Sequence, residues 1–230
     1  MRPYALFDFD GTCIKGDSIV SFLKYSYCQK TLSSGELWKG TAAGLCYKLK
    51  RISSEKSKEI AFSFLKGKTW RELEEYGGVF CRECLLPKLR PEAVRVMQAL
   101  HEQGYLVLLV SASATFYLKE LLMTLPIDGI LGTELQLGAD GRYNGKILGS
   151  SCRDEEKVLR ISEYEKLCGE KMDAAQSIAF GDSASDYPMM KLCQRRVGIN
   201  PKIKLRRLLS KDTKGEIRIW NEPGRMEKQA

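Results

Sequence analysis

The chain has 230 residues, a formal net charge of +8, 43% hydrophobic residues and 29% charged residues. This composition is typical of an ordinary globular protein that needs no disulfide staple. The longest strongly apolar run, YLVLLV at 105–110, is far shorter than the roughly 20 residues that cross a bilayer. We therefore expect no transmembrane segment. No apolar export segment precedes Asp8, and the eight cysteines are scattered, so we expect a cytoplasmic protein with reduced thiols.

The predicted elements alternate between strands and helices along most of the chain. YALFDF at 4–9 predicts a buried strand, whereas residues 18–88 show only helical patterns separated by Ser and Gly breaks. The later elements are a helix after Pro91 that stops at Gly104, a strand at 105–110, a hairpin around Asp140-Gly141, a helix at 153–168, a strand at 177–181, a further helix, a strand at 197–199 and a basic helix from 202. This alternation predicts an α/β fold: a Rossmann-like parallel sheet with helices on both faces and a helical insertion.

Polar residues follow four predicted strands: Asp8 and Asp10 the first, Ser111 the strand 105–110, Asp182 the strand 177–181, and Asn200 the strand 197–199. Because the carboxyl ends of parallel strands meet at one edge of a sheet, these residues are expected to form one site. Asp186 lies four residues after Asp182, on the same side of a starting helix. Clustered carboxylates need a cation or a shared proton, and oxygen ligands without histidine suit Mg²⁺. The candidate ligands are Asp8, Asp10, Asp182 and Asp186.

With a cation in this pocket, Asp8 is placed to attack phosphorus and form an aspartyl phosphate. Lys157 and Ser111 are the candidates for holding the other phosphate oxygens during the transfer. Asp10 is two residues further on, where it can protonate the leaving oxygen and later activate water, provided that neighbouring carboxylates raise its pKa. The predicted reaction is Mg²⁺-dependent hydrolysis of a phosphomonoester.

The sequence resembles the haloacid dehalogenase superfamily in four ordered motifs: Asp8-Phe-Asp10-Gly11-Thr12, Ser111, Lys157 in DEEKVLRI, and Gly181-Asp182-Ser183-Ala184-Ser185-Asp186. The resemblance implies Asp8 as nucleophile, Asp10 as general acid and base, and Asp8, the Asp10 backbone carbonyl and Asp182 as Mg²⁺ ligands. It also implies a core of residues 1–16 and 90–230 and a helical cap of the first type at 17–89, as in phosphoserine-phosphatase-like enzymes. Asp186 resembles the second acidic residue, and candidate phosphate and substrate contacts are Gly11, Thr12, Asp17, Ala112 and Asn200.

Several of these residues also have an ordinary structural interpretation. Ser111 suits the end of a strand, Lys157 the solvated face of a helix, and Asp182 a helix cap. Asp17 is similar in position to an acidic residue that holds the substrate amine in phosphoserine phosphatases, but Gly16-Asp17-Ser18 also suits a helix cap. Asp8 and Asp10 fit a structural role least well, because strands are depleted in aspartate.

Other phosphatase chemistries have little support in the sequence. His101 is the one histidine, which excludes sites built on paired histidines. Cys84 and Arg90 have the spacing of a cysteine phosphatase, but the residues between them lack the glycines that would cradle a phosphate. Cys81 and Cys84 form a lone C-x-x-C without a second pair to complete a zinc site.

The predicted substrate is a small anionic phosphometabolite such as phosphoserine or histidinol phosphate. Ser111-Ala112-Ser113 departs from the Ser-Gly-Gly turn of phosphoserine phosphatases, so phosphoserine is not singled out. One alternative is a lipid phosphatase that acts on phosphatidylglycerophosphate. Another is a non-catalytic module that binds anionic lipid or nucleic acid through the basic stretch 202–214, although its apolar residues also suit packing on the sheet. We expect no nucleic-acid partner and at most weak peripheral membrane contact.

Overall fold

The computed structural model describes residues 1–221, whose centre is a six-stranded sheet. The strands are β1 (Tyr4–Phe7), β2 (Leu106–Ala114), β3 (Gly129–Thr133), β4 (Leu135–Leu137), β5 (Tyr143–Ile147), β6 (Ile178–Gly181), β7 (Arg195–Ile199) and β8 (Gly215–Arg218). The main sheet has the order β3-β2-β1-β6-β7-β8, and all of its pairings are parallel. The carboxyl ends of β1 and of its neighbours β2 and β6 therefore lie together at one edge.

The helices are α1 (Ser18–Cys28), α2 (Ser34–Lys48), α3 (Ser54–Ala61), α4 (Trp70–Phe80), α5 (Pro91–Glu102), α6 (Thr115–Leu118), α7 (Glu155–Cys168), α8 (Tyr187–Lys191) and α9 (Ile203–Leu209). Helices cover both faces of the sheet, which confirms the predicted Rossmann-like α/β fold. None of the helices within residues 1–221 has the length and apolar character needed to cross a bilayer.

Burial on both faces explains why the central strands are continuous apolar runs. Along β1, Ala5 and Phe7 belong to one apolar cluster, and Tyr4 and Leu6 belong to a second cluster on the other face. The rings of Phe7 and Phe180 stack with centroids 4.3 Å apart on the first face. The central strands are thus fixed by packing on both sides, which gives the residues that follow them a rigid support.

Helices α1 to α4 form the insertion between β1 and β2, as the helical pattern of 18–88 predicts. Each begins with a side-chain cap, supplied by Asp17, Ser33, Ser53 and Thr69, which satisfies backbone N–H groups that a helix start leaves unpaired. Phe22 lies at the centre of the insertion and packs against five other aromatic rings besides Phe62. Two of these rings, Phe116 and Tyr117, belong to α6, so the aromatic core of the insertion is continuous with the apolar cluster on one face of the sheet.

The structure differs from the predicted elements at a few positions. The strands β3 and β8 are not predicted from the sequence, and the helix expected from 202 ends at Leu209, before β8. Ser111 lies inside β2, because the strand continues to Ala114 across an irregularity in its pairing with β3. The hairpin around Asp140-Gly141 is present as the antiparallel pair β4 and β5.

Candidate active site

Three buried carboxylates meet at the carboxyl edge of the sheet. Asp8 follows β1, Asp182 follows the adjacent β6, and Asp186 ends the short 3₁₀ turn Ala184–Asp186. Each is at most 6% exposed, and one carboxylate oxygen from each lies within 4.8 Å of the others. The structure thus brings Asp8 and Asp182 together from two adjacent strand ends and adds Asp186 from the turn after β6.

The close approach of Asp182 depends on Gly11. This residue has φ +88°, a conformation that disfavours other residues, and a Cβ built there would lie 2.2 Å from Asp182 Oδ2. The next residue, Thr12, is fully buried, and its hydroxyl donates to Asp8 Oδ2 at 3.1 Å. Gly11 and Thr12 therefore shape and orient the carboxylate cluster.

Lys157 supplies positive charge to the cluster from the first turn of α7. It is 1% exposed, and its Nζ lies 2.7 Å from both Asp8 Oδ1 and Asp186 Oδ1. Burial alone would lower the pKa of Lys157, but the carboxylates of Asp186 and Asp8 outweigh it and raise the pKa above its ordinary value. Lys157 is therefore a fixed cation and not a residue on a solvated helix face.

The other carboxylate oxygens have defined partners as well. Lys202 lies 2.7 Å from Asp182 Oδ2, and the backbone N–H of Ser183 donates to Asp186 Oδ2 at 2.9 Å. Burial raises the pKa of Asp8, the nearby carboxylates of Asp186 and Asp182 raise it further, and Lys157 opposes them. Burial likewise raises the pKa of Asp182 against the effect of Lys202. With all three carboxylates ionised, the cluster thus carries more negative charge than Lys157 and Lys202 together compensate, which favours a bound cation.

Asp10 lies apart from these three carboxylates and has neutral partners. Its Oδ1 accepts the backbone N–H of Ser18 at 2.8 Å, and its Oδ2 accepts the hydroxyls of Ser18 at 2.9 Å and Ser113 at 2.6 Å. Burial raises the pKa of Asp10 to about 7, with Asp17 adding to the effect and the serine hydrogen bonds opposing it. An acid with this pKa can give and take a proton near neutral pH.

A cavity of about 360 Å³ opens onto both Asp8 and Asp10. From the sheet side it is lined by Ser111, Ala112 and Lys157 as well as by the aspartates, and from the insertion by Asp17, Leu23 and Lys58, among others. Asp17 also caps α1 by accepting the backbone N–H of Val20 at 3.0 Å. Both interpretations of Asp17, helix cap and substrate-facing acid, are therefore compatible with its position.

Asn200, like Gly11 and Thr12, is a predicted site residue that does not line this cavity. It follows β7, but its Nδ2 donates to the backbone oxygen of Trp220 at 3.0 Å and its Oδ1 accepts the Trp220 N–H at 3.1 Å. The side chain is thus used to hold the segment after β8. These hydrogen bonds depend on β8, a strand that is not predicted from the sequence.

Sequence reasoning missed several residues of the site. Lys58 is 5% exposed, and Lys202 pairs with Asp182. Ser18, Ser113 and Tyr117 surround the Asp10 carboxyl group or its partners. The one signal in the sequence is Ser113, where phosphoserine phosphatases usually have a glycine, because it adds a hydroxyl group beside the site.

The donor set at the cluster fits Mg²⁺. Three carboxylates converge, no histidine or cysteine contributes a ligand atom, and their charge is only partly balanced by lysine. Of the four candidate ligands, Asp10 is the one whose carboxyl group is not part of this cluster; it accepts hydrogen bonds from Ser113 and Ser18 instead.

The fold and the site together place a buried carboxylate cluster with a buried lysine at the end of a central parallel strand. Residues 5–191 match the family of haloacid dehalogenase-like hydrolases, and the chain belongs to that family. The predicted resemblance to this superfamily, and the prediction of an enzyme, are therefore confirmed.

The chain is also similar to individual proteins, one of which is named as a phosphatase. The chain is 30% identical to Protein CicA of Caulobacter vibrioides over 195 residues, 83% of this chain and 82% of CicA. It is 25% identical over 207 residues to a histidinol-phosphatase of Neisseria meningitidis, covering 89% of this chain and 93% of that enzyme. A crystal structure of a protein from Bordetella pertussis Tohama I has a similar fold, with a TM-score of 0.85, 23% identity, and coverage of 94% of this chain and 98% of the other.

Proposed function

We propose that this protein is a Mg²⁺-dependent phosphomonoester hydrolase that works through an aspartyl phosphate on Asp8. The observation that carries the proposal is the arrangement of three buried carboxylates, of which Asp8 and Asp186 share Lys157, at the floor of a cavity. Asp8, Asp182 and Asp186 are the side chains that would hold Mg²⁺, together with the backbone carbonyl of Asp10. The bound cation would neutralise charge between a phosphate and the nucleophile.

The residues of the chain divide the reaction between them. Asp8 attacks phosphorus while Lys157 and Ser111 hold phosphate oxygens, and Asp10 gives a proton to the leaving oxygen. In the second half, Asp10 takes a proton from the water that attacks the aspartyl phosphate, which restores Asp8 and releases phosphate. A pKa of about 7 for Asp10 suits both directions of this transfer.

Residues 17–89 act as a cap over a core of residues 1–16 and 90–230 in this proposal. The support comes from contacts that α3 makes with the loop before α7: the Ser151 N–H donates to Glu55 Oε1 at 3.0 Å, and Lys58 Nζ donates to Ser151 Oγ. Because the cap and the core both line the cavity, the cap would select the substrate while the core performs the chemistry.

The substrate class proposed is a small anionic phosphometabolite. The cap side of the cavity combines apolar side chains, including Leu23 and Leu45, with the buried amine of Lys58. An organic leaving group that carries an acceptor or anionic group would match this lining. The Neisseria relative named as a histidinol-phosphatase makes histidinol phosphate the first compound to test, beside phosphoserine and phosphatidylglycerophosphate.

The rival proposal of a peripheral binding helix receives less support. Helix α9 has seven residues, and Leu205 and Leu209 are buried in the apolar cluster of one sheet face. Ile203 and Leu208 are its exposed apolar residues, too small a face for lipid association without a second anchor. The basic segment therefore serves mainly to cover the sheet.

The test is a phosphatase assay of the full chain with Mg²⁺ and with EDTA. Activity toward an aryl phosphate should require Mg²⁺ and should vanish in Asp8→Asn, because the amide cannot form the acyl phosphate by the same attack. Asp140→Asn is the matched control: Asp140 is exposed in the hairpin turn, and asparagine also suits that turn, so activity should be unchanged. Full activity of Asp8→Asn would end the proposal.

A further inference from the structure

A closed set of hydroxyl groups surrounds the carboxyl group of Asp10. Ser18 Oγ lies 2.6 Å from Ser113 Oγ and 3.0 Å from the hydroxyl of Tyr117, and both serine hydroxyls donate to Asp10 Oδ2. Ser18, Ser113 and Tyr117 are each at most 1% exposed. We call these three residues the hydroxyl cluster. Its burial means that water does not compete for its hydrogen bonds.

The hydroxyl cluster joins three segments that are far apart in the sequence. Ser18 begins α1 in the insertion, Ser113 lies near the end of β2, and Tyr117 is in α6. The Ser113 N–H also donates to Ser111 Oγ at 3.1 Å, which ties the cluster to a candidate phosphate contact. The orientation of Asp10 therefore depends on the first helical turn of the insertion as well as on the sheet.

The two oxygens of Asp10 differ in how many donors they accept. Oδ2 accepts two hydroxyls, which uses both of its lone pairs, whereas Oδ1 accepts one backbone N–H from Ser18. Tyr117 can donate to Ser18 Oγ, and this leaves the Ser18 proton free for Asp10 Oδ2. Oδ1 is thus the oxygen with a lone pair left for a transferable proton.

We propose that Ser18, Ser113 and Tyr117 are positioning residues that fix the Asp10 carboxyl group so that Oδ1 delivers the proton to the leaving group. The inference rests on the proposed function. As an oxygen of Asp8 bonds to phosphorus, the bond from phosphorus to the leaving oxygen breaks, and its electron pair accepts the proton from Asp10 Oδ1. The carboxylate that remains is stabilised by the Ser18 N–H and the two serine hydroxyls.

A purely structural role makes a different prediction. If the hydroxyl cluster only held the insertion in place, its loss would slow all substrates by a similar factor. If it positions the acid, the loss depends on the leaving group, because an alkoxide needs a proton far more than a nitrophenolate does. The ratio of kcat/KM for an aryl phosphate to kcat/KM for an alkyl phosphate separates the two roles, since kcat/KM reports the step in which the leaving group departs.

The variants for this experiment are Ser113→Ala and Tyr117→Phe in the full chain with Mg²⁺, with p-nitrophenyl phosphate and a simple alkyl phosphate as substrates. Ser113→Ala should lose roughly tenfold or more on the alkyl phosphate and less than about threefold on the aryl phosphate, a part of the usual contribution of general acid catalysis. Tyr117→Phe should shift the ratio in the same direction by a smaller factor, because it removes a donor one step away from Asp10.

Ser26→Ala is the matched control. Ser26 is a fully buried serine that accepts a hydrogen bond from Tyr76 at 2.9 Å, away from Asp10, so its loss should leave the substrate ratio unchanged. Equal losses on both substrates in Ser113→Ala and Tyr117→Phe, or no loss in either, would overturn the inference. Absence of activity in the unmodified protein on both substrates would instead refute the proposed function, so the two failures are distinguishable.

Discussion

Lys58 gives a stability prediction that can be worked out from its surroundings. Its Nζ donates to the hydroxyls of Ser54, at 2.8 Å, and Ser151, and within residues 1–221 it forms no ion pair with a carboxylate. Burial lowers the pKa of Lys58 to about 8 from its ordinary 10.5, and Glu55 opposes the effect only in part. The folded protein therefore holds a poorly compensated cation at neutral pH.

The magnitude follows from the difference between the folded and unfolded pKa values. A fall in the pKa from 10.5 to about 8 means that the charged amine lowers the free energy of unfolding by roughly 3 kcal/mol relative to the neutral amine. Lys58→Met removes this cost and keeps the length of the side chain, but it also loses two hydrogen bonds to hydroxyls of about 1 kcal/mol each. Near pH 7 we expect the variant to be slightly more stable than the original protein, by about 1 kcal/mol.

The dependence on pH is the sharper part of this prediction. Below about pH 8 the amine is charged in the folded and in the unfolded protein, so its destabilising effect is constant. As the pH rises from 8 to 10.5, the folded protein loses the charge first, and its free energy of unfolding rises by about 3 kcal/mol relative to that of Lys58→Met. Urea denaturation of both proteins at several pH values measures the difference, in which all other titrating groups cancel. A difference that stays flat between pH 7 and 10.5 would refute this account of Lys58.

Two further predictions concern the carboxylate cluster. Gly11→Ala should lower the free energy of unfolding by about 1–2 kcal/mol, because alanine disfavours the left-handed backbone conformation at this position. The variant should also bind Mg²⁺ more weakly in calorimetry, because the new Cβ displaces Asp182. Unchanged Mg²⁺ affinity would show that Asp182 needs no such close approach. Because burial raises the pKa of Asp8, protons and Mg²⁺ compete for the cluster, and metal-free stability should fall as the pH rises from about 4. Saturating Mg²⁺ should therefore raise Tm more at pH 8 than at pH 6, and an equal shift at both would contradict the assignment.

The sequence predicted the parts of the molecule that local patterns encode. Strands β1, β2 and β6 are buried on both faces, so they appear as apolar runs, and the aspartates that follow β1 and β6 stand out by their charge. The Asp-Gly turn identified the hairpin for the same local reason. The strand β3, Gly129–Thr133, escaped because two glycines interrupt its apolar pattern, and β8 because its exposed residues give no apolar run.

The parts that could not be predicted depend on contacts between distant segments. Ser18 and Ser113 are 95 residues apart, and nothing near either serine in the sequence indicates the other. The contact of Lys58 with Ser151 spans 93 residues and turns an ordinary lysine of an amphipathic helix into a buried cation. Asn200 also depends on a distant contact, since this polar residue at a strand end forms its hydrogen bonds with the backbone of Trp220.

The two aspartates at the end of β1 acquire different properties because the chain turns between them. β1 ends at Phe7, so Asp8 keeps the direction of the strand and meets Lys157, whereas Asp10 lies in the turn and meets hydroxyl groups. A lysine favours the charged form of a carboxyl group strongly, while neutral donors favour it weakly against the cost of burial. At Asp8, however, burial and the carboxylates of Asp186 and Asp182 outweigh Lys157 and raise the pKa to about 8, whereas the pKa of Asp10 is raised to about 7. Under the proposed function, a cation held by Asp8, Asp182 and Asp186 would favour the ionised form of Asp8 and leave Asp10, among its neutral partners, as the proton donor. The different partners of the two aspartates are what the D-x-D spacing alone does not reveal.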